Sequence, residues 1–344
     1  MSHYRFCPLS GNWVIISAKR KRRPSDFVLS SFENENTDSP FVYGNEHKTP
    51  REIFSIRAEG GDTNSPDWQV RVVPNKYNAL DIEKDPKNIR LGLYDTMDGF
   101  GAHEVIVDTP RFPSSIYDFS ESEMGFFLKA IIARYSDLCR DLRIKYILPF
   151  KNNGMFSGAT ISHSHTQIIA MQFLPQSIEG ELIRCKRYFA DHSRSLLEDI
   201  VQEELSVDSR IVDKSENFIA FCPFASSHSF CVTIMPIFQR SEFSELDQVE
   251  IQELSLMLGL VVKKLGIATD LASFNMLFHL KPPSREDEKE RNLYHMLDEY
   301  YGWRIEIVPR ISFDGGLEVA SGIRINATPP EECAEFLRNI KDPE

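Results

Sequence analysis

The sequence predicts an α+β fold made of two strand-helix-strand-strand modules, with mainly antiparallel sheets flanked by helices. Three observations carry this. Ser120-Glu121-Ser122-Glu123 is a capping box, and after it Met124, Phe127, Leu128, Ile131, Ile132, Tyr135 and Leu138 recur at helical spacing to about residue 142. Strand-like runs flank that helix, at residues 104–110 before it and at 146–150 and 163–174 after it. The same order then returns: a strand at 229–235, a helix capped within 244–247 and running through 265, and strands at 274–280 and 303–309. The division expected is a first half over residues 1–177, a helical connector over 178–205 and a second half over 206–344.

Composition bounds the function. A chain of 344 residues with 42% apolar content can form one large or two ordinary domains. A formal charge of -12 excludes a general nucleic-acid binder, which needs a basic surface, but not a nucleotide site. No apolar run approaches the roughly 20 residues of a membrane span. The opening MSHYRFCPLSGNW has no signal-peptide h-region. The six cysteines are scattered without a C-x-x-C pair, as expected of reduced thiols in a cytoplasmic protein.

Taken in order, the chain starts with a turn at Ser10-Gly11-Asn12 and a strand at 13–17. Lys19-Arg20-Lys21-Arg22-Arg23-Pro24 is a solvated basic face or, in so acidic a chain, a concentrated anion site. Residues 28–66 are polar and read as loop. The strand 67–73 runs into Pro74-Asn75-Lys76-Tyr77-Asn78-Ala79-Leu80. Residues 178–204 read as one or two polar helices bridging the halves.

The chemistry gathers at Asn152–Gln167, NNGMFSGATISHSHTQ. On a strand, His163, His165 and Gln167 share one face, and Ser162, Ser164 and Thr166 share the other. Gly154 and Gly158 let backbone approach a ligand, and Asn152 and Thr160 can donate hydrogen bonds. A neutral imidazole is a nucleophile near pH 7, because its unperturbed pKa is about 6.5. Such a face suits attack on phosphorus; the alternative is a buried strand with two structural histidines.

Asn152-x-Gly154, Gly158-x-Thr160 and His163-x-His165-x-Gln167 resemble the catalytic strand of the galactose-1-phosphate uridylyltransferase family, the transferase branch of the histidine triad (HIT) superfamily. Ser164 stands where that family usually has proline, and Gln167 is similar to the transferase form rather than to the third histidine of the hydrolases. The resemblance covers nearly the whole chain and implies two HIT-like halves, the first catalytic. It implies His165 as nucleophile, His163 in an orienting role, and Gln167, Asn152, Gly158 and Thr160 as phosphate-side donors. The segment bearing Asn75 and Tyr77 resembles the nucleoside-holding block. Trp13, Arg20, Arg23 and Pro24 match the N-terminal element whose arginines act, in the family, across a dimer, and Arg324 takes the position of a hexose-phosphate ligand. A homodimer is therefore expected.

Two metal positions of the family are not matched. The zinc ligands fall on Ser39, Val42 and Phe112, with only His163 remaining. At the second site Glu181 and His279 fit, but Gly302 and Arg304 replace histidines, and His295 is the nearest substitute. A structural zinc needs about four N, S or O ligands, so no metal is expected, although an unusual arrangement involving His47, His103 or His295 stays open. The implied reaction exchanges a nucleoside monophosphate between a nucleoside diphosphate sugar and a sugar 1-phosphate, by a ping-pong route through a nucleotidyl-histidine. The alternatives are an ADP-glucose-phosphorylase-like relative with a different nucleotide or phosphate acceptor, and a nucleotide-binding protein without turnover.

Overall fold

The computed structural model describes residues 2–20, 39–57, 61–84, 86–283 and 291–341. The strands and the helices that position the site follow in order: β1 (His3–Phe6), β2 (Trp13–Ile16), β3 (Phe54–Arg57), β4 (Trp68–Pro74), β5 (Asn88–Leu91), β6 (Tyr94–Met97), β7 (Gly101–Val107), α1 (Glu121–Leu138), β8 (Tyr146–Asn153), β9 (His165–Met171), α2 (Gln176–His192), α3 (Leu196–Val207), β10 (Ile211–Lys214), β11 (Phe218–Phe221), β12 (Val232–Pro236), α4 (Gln248–Thr269), β13 (Phe274–His279), β14 (Arg304–Pro309) and β15 (Arg324–Asn326).

One ten-stranded sheet runs in the order β10-β11-β12-β14-β13-β8-β9-β7-β4-β3, and each of its pairs is antiparallel. Read inward from either edge, the halves have the same topology. A hairpin and a third strand lead through a helix to two strands, and the later of these inserts between its predecessor and the third strand. The halves meet where β8 pairs β13, with Asn152 opposite Asn275 and Lys151 opposite Met276. The fold is α+β and duplicated. The short strands β1, β2 and β15 form a separate sheet in which β15 runs parallel to β2.

Both main helices begin as their sequences dictate. Ser120 with Glu123, and Asp247 with Glu250, form reciprocal capping boxes. Helices α1 and α4 pack side by side on one face of the sheet, burying Phe127, Leu128, Ile131, Leu258 and Val261 against Ile106, Ile168 and Met276. Arg134 of α1 adds a buried two-point pair with Glu104 of β7, at 2.7 Å each. On the opposite face α2 and α3 cover the second half through Leu182, Leu197 and Val201. A smaller cluster of Phe41, Trp68, Val73, Val105 and Val107 covers the outer part of the first half.

Three expectations need correction. Residues 28–66 are not all loop: Phe54–Arg57 pairs with β4, an edge strand whose short alternation is lost among polar neighbours. The strand expected from 163 begins at His165; the carbonyl of His163 accepts instead from the His165 ring, at 2.8 Å. The first helix ends at Leu138, before a turn at Arg140 and Asp141.

Candidate active site

The face opposite α1 and α4 carries the sequence-predicted constellation. His165 and Gln167 point from β9 to that face, flanked by His103 and Val105 of β7 on one side and Asn152 of β8 on the other. His165 is buried, and its Nδ1–H donates to the His163 carbonyl at 2.8 Å. That bond selects the tautomer and leaves the lone pair on Nε2, for which the described residues supply no hydrogen-bond partner. Burial lowers the His165 pKa and the Lys151 charge adds to that, against the opposing pull of the His163 carbonyl and Asp108. The imidazole is therefore neutral at pH 7.

His163 lies just before the strand and is fully buried. Its Nε2–H donates to the Thr109 carbonyl at 2.7 Å, and its Nδ1 accepts from Ser39 Oγ at 3.2 Å. Phe112 stacks on the ring at 5.2 Å and Phe41 meets it edge-on at 5.8 Å. Desolvation keeps this histidine neutral too. Both ring nitrogens are engaged, so His163 supports the segment that carries His165.

Asn152 accepts at Oδ1 from Asn275 of the second half, at 2.8 Å, which leaves its amide N–H groups to donate. The left-handed φ of +93° at Gly158 allows the loop to turn back over Asn152, and a Cβ there would lie 3.5 Å from Asn152 Nδ2. Gly154, at φ +84°, has no room for a side chain, since a Cβ would fall 2.3 Å from Ser273 Oγ. Thr160 is exposed beside this loop. Gln167 Oε1 lies 2.8 Å from His103 Nε2, and Asn75 approaches the same ring nitrogen at 3.1 Å. Tyr77 is 83% exposed at the rim.

Other predicted residues are placed elsewhere. Arg20 closes a short 3-10 turn, Ala18–Arg20; Arg23 lies outside the described residues. Arg324 sits on the separate small sheet, where its guanidinium pairs with Asp314 and meets His228 Nε2 at 3.0 Å. Within one chain the structure does not bring Arg324 into contact with His165 or Gln167.

The donor sets at the two metal positions do not fit a metal. Beside His163 stand a serine hydroxyl, a valine and a stacked phenyl ring. At the second position both Glu181 oxygens accept from Arg304, at 2.6 and 2.8 Å, and Tyr301 donates to Oε1 at 2.8 Å. Burial opposes the Glu181 charge, yet the guanidinium outweighs it and holds the carboxyl below its usual range. A Cβ at Gly302 would lie 2.8 Å from the Arg240 carbonyl, so no histidine fits there without a shift. His279 pairs with Glu306 at 3.1 Å, and His47 and His295 are exposed. Among the described residues no three His, Cys, Asp or Glu side chains are grouped as metal ligands.

Sequence reasoning missed the residues that hold the site from behind. Lys151 Nζ lies on the helix face and donates to Asp108 Oδ2 at 2.6 Å, Ser164 Oγ at 2.9 Å and the His165 carbonyl at 3.1 Å. Ser164 in turn donates to Asp108 at 3.0 Å. The only sequence signal was the alternation that put Ser164 on the face opposite His165. Asn275 was invisible because it acts across the junction between the halves.

A duplicated antiparallel sheet with a neutral, tautomer-fixed histidine two residues before a glutamine defines a class. Over nearly its whole length the chain is similar to galactose-1-phosphate uridylyltransferase-like enzymes. It is 29% identical over 338 residues to ADP-glucose phosphorylase of Arabidopsis thaliana, covering 97% of this chain and 91% of that one. The structure of an ADP-glucose phosphorylase from the same plant with bound ADP-glucose matches with a TM-score of 0.81 at 28% identity, over 99% of this chain and 100% of that one. Galactose-1-phosphate uridylyltransferase of Thermotoga maritima is 24% identical over 99% of each chain. The family profile described as "Domain of unknown function (DUF4931) N-terminal domain" matches residues 87–174. No helix among the described residues is long and apolar enough to cross a membrane.

Proposed function

We propose that the chain transfers a nucleoside monophosphate through a nucleotidyl-His165 intermediate, with an ADP-sugar of the ADP-glucose type as donor and inorganic phosphate as acceptor. The observation that carries the mechanism is the Nδ1–H bond of His165 to the His163 carbonyl, which aims the Nε2 lone pair away from the backbone. The similarity to ADP-glucose phosphorylase over nearly the whole chain supports the donor and acceptor. This reading moves the sequence-based alternative ahead of hexose 1-phosphate uridylyl exchange.

In the first step Nε2 attacks the α-phosphorus and an N–P bond forms as the P–O bond to the β-phosphate breaks. The sugar 1-phosphate leaves as an anion and needs no protonation. In the second step a phosphate oxygen attacks the same phosphorus, the N–P bond breaks, and ADP departs with neutral His165 restored. The amide N–H groups of Gln167 and Asn152, with the Gly158 loop and Thr160, supply donors to charge developing on the α-phosphate. Asn75 and Tyr77 line the nucleoside side. The step needs no metal in this reading, since the donor sets of both family positions are replaced. Arg20, Arg23 and Arg324 would reach the site from a second copy of the chain.

Intact mass after brief mixing with ADP-glucose, and separately with UDP-glucose, tests this. An AMP adduct absent in His165→Gly, discharged by phosphate to give ADP, supports the proposal. A UMP adduct discharged by a hexose 1-phosphate returns the reading to uridylyl exchange. Nucleotide binding without adduct or turnover supports a binding protein.

A further inference from the structure

We propose that His103 is a positioning residue that fixes which end of the Gln167 side-chain amide faces the reacting phosphate. The inference rests on the nucleotidyl-transfer reading above and adds to it a residue outside the His-x-His-x-Gln segment.

The register of β7 against β9 sets Val105 opposite Gln167 and His103 opposite Ile169, so His103 and Gln167 are diagonal neighbours on one face. Such pairs are about 7–8 Å apart at the backbone, within reach of long side chains. The tautomer of His103 follows from its partners. Its Nδ1 lies 3.1 Å from the Ala79 main-chain nitrogen, a group that can only donate. Nδ1 must therefore accept, and Nε2 carries the proton. Two side chains lie near that proton. Asn75 presents its amide nitrogen at 3.1 Å, because its own Oδ1 accepts from the Tyr77 N–H at 2.9 Å. It is a donor and cannot take the proton. Gln167 Oε1, at 2.8 Å, can.

The Gln167 carbonyl is thus turned to His103 and its NH₂ is turned away from it. The distinction matters because the terminal torsion of glutamine is broad and roughly two-fold. In the free enzyme an unheld amide populates both orientations, and the one with its oxygen toward the phosphate position must turn before it can donate. The imidazole also joins two parts of the site. His103 accepts from Ala79 and its carbonyl accepts from the Asn75 N–H at 2.8 Å, so the loop on the nucleoside side is tied to the phosphate-side amide through one residue.

The test compares His103→Leu, which removes both bonds, with His103→Gln, whose amide can still donate toward Gln167, in wild-type and Gln167→Ala backgrounds. The readouts are the single-turnover rate of adduct formation and the nucleotide-sugar Kd. Loss of an aligned transition-state donor costs about 10²–10³ in rate, and an amide free to flip should lose part of that, about tenfold. His103→Leu should therefore slow adduct formation about tenfold with a smaller change in Kd, and His103→Gln should recover most of the rate. In Gln167→Ala, His103→Leu should add less than about twofold, since residues acting through one interaction are non-additive. Losses that multiply, or a Leu variant with the wild-type rate, would overturn the proposal. A wild-type enzyme forming no adduct with any nucleotide sugar would overturn the reading beneath it instead. The ¹⁵N NMR spectrum of histidine-labelled protein reads the tautomer without turnover: Nε2–H on His103 is expected, and Nδ1–H defeats the assignment.

Discussion

Lys151 Nζ donates to the main-chain carbonyl of His165 at 3.1 Å from beneath the sheet, so a buried ammonium sits under the proposed nucleophile. Asp108 balances its charge at 2.6 Å, and the Ser164 hydroxyl bridges the two. Ser164 stands where the resembling family usually has proline. The hydroxyl does here by hydrogen bonding what a ring would do by restricting φ: it holds the residue between the two histidines.

Replacing Lys151 by Met should have two effects. It leaves Asp108 buried without its cation, a loss of about 3–5 kcal/mol for a broken buried pair. The Asp108→Asn/Lys151→Met double variant should be less damaged than the sum of the singles. Lys151 also holds the His165 pKa down, so removing it should raise that pKa. The acid limb of the rate of adduct formation should move to higher pH. Denaturant unfolding and a pH–rate profile check the two effects.

For the unaltered enzyme the sign follows from the same cause. Only neutral His165 is nucleophilic, and burial places its pKa below the ordinary value of about 6.5. The acid limb of the single-turnover rate should therefore be centred below 6.5. An acid limb centred above 6.5 would show that another group controls attack.

The fold was legible because each half repeats strong local signals: a capping box, a helical apolar stripe and two alternating strands. That His165 and Gln167 share one face was legible from a period of two. What could not be read was which strands become neighbours. His103 meets Gln167 only because β9 inserts beside β7, and Asn275 meets Asn152 only because β13 joins β8. The Lys151 cluster was hidden for a related reason: a lysine on a strand reads as solvent-facing until the helices that bury it are placed.

Asn275 offers a test of communication between the halves. Its Nδ2 donates to Asn152 Oδ1 at 2.8 Å and to the Ser157 carbonyl at 3.0 Å. Asn275→Ala should release both the Asn152 amide and the loop before Gly158. Adduct formation should fall about tenfold, a fraction of the loss expected for a missing oxyanion donor. Fold stability should change by only about 1 kcal/mol, the ordinary net value of a hydrogen bond. Paired single-turnover and thermal unfolding measurements separate the two.

The Glu181–Arg304 pair predicts how the enzyme responds to chelators and to acid. Both guanidinium-facing oxygens of Glu181 are taken, at 2.6 and 2.8 Å, in a buried setting. A cation supplied by the chain thus occupies the position that resembles the family's second metal site. Prolonged treatment with EDTA should leave both Tm and adduct formation unchanged, whereas Arg304→Met should lower stability by about 3–5 kcal/mol by stranding the carboxylate. The Glu181 pKa is lowered in the folded state, so its contribution is present above the unfolded carboxylate value and disappears as pH falls through the folded one. Arg304→Met/Glu181→Leu, which removes both charges, should regain much of the lost stability and flatten that acid dependence. Loss of stability or activity on chelation, restored by adding one metal back, would defeat this account.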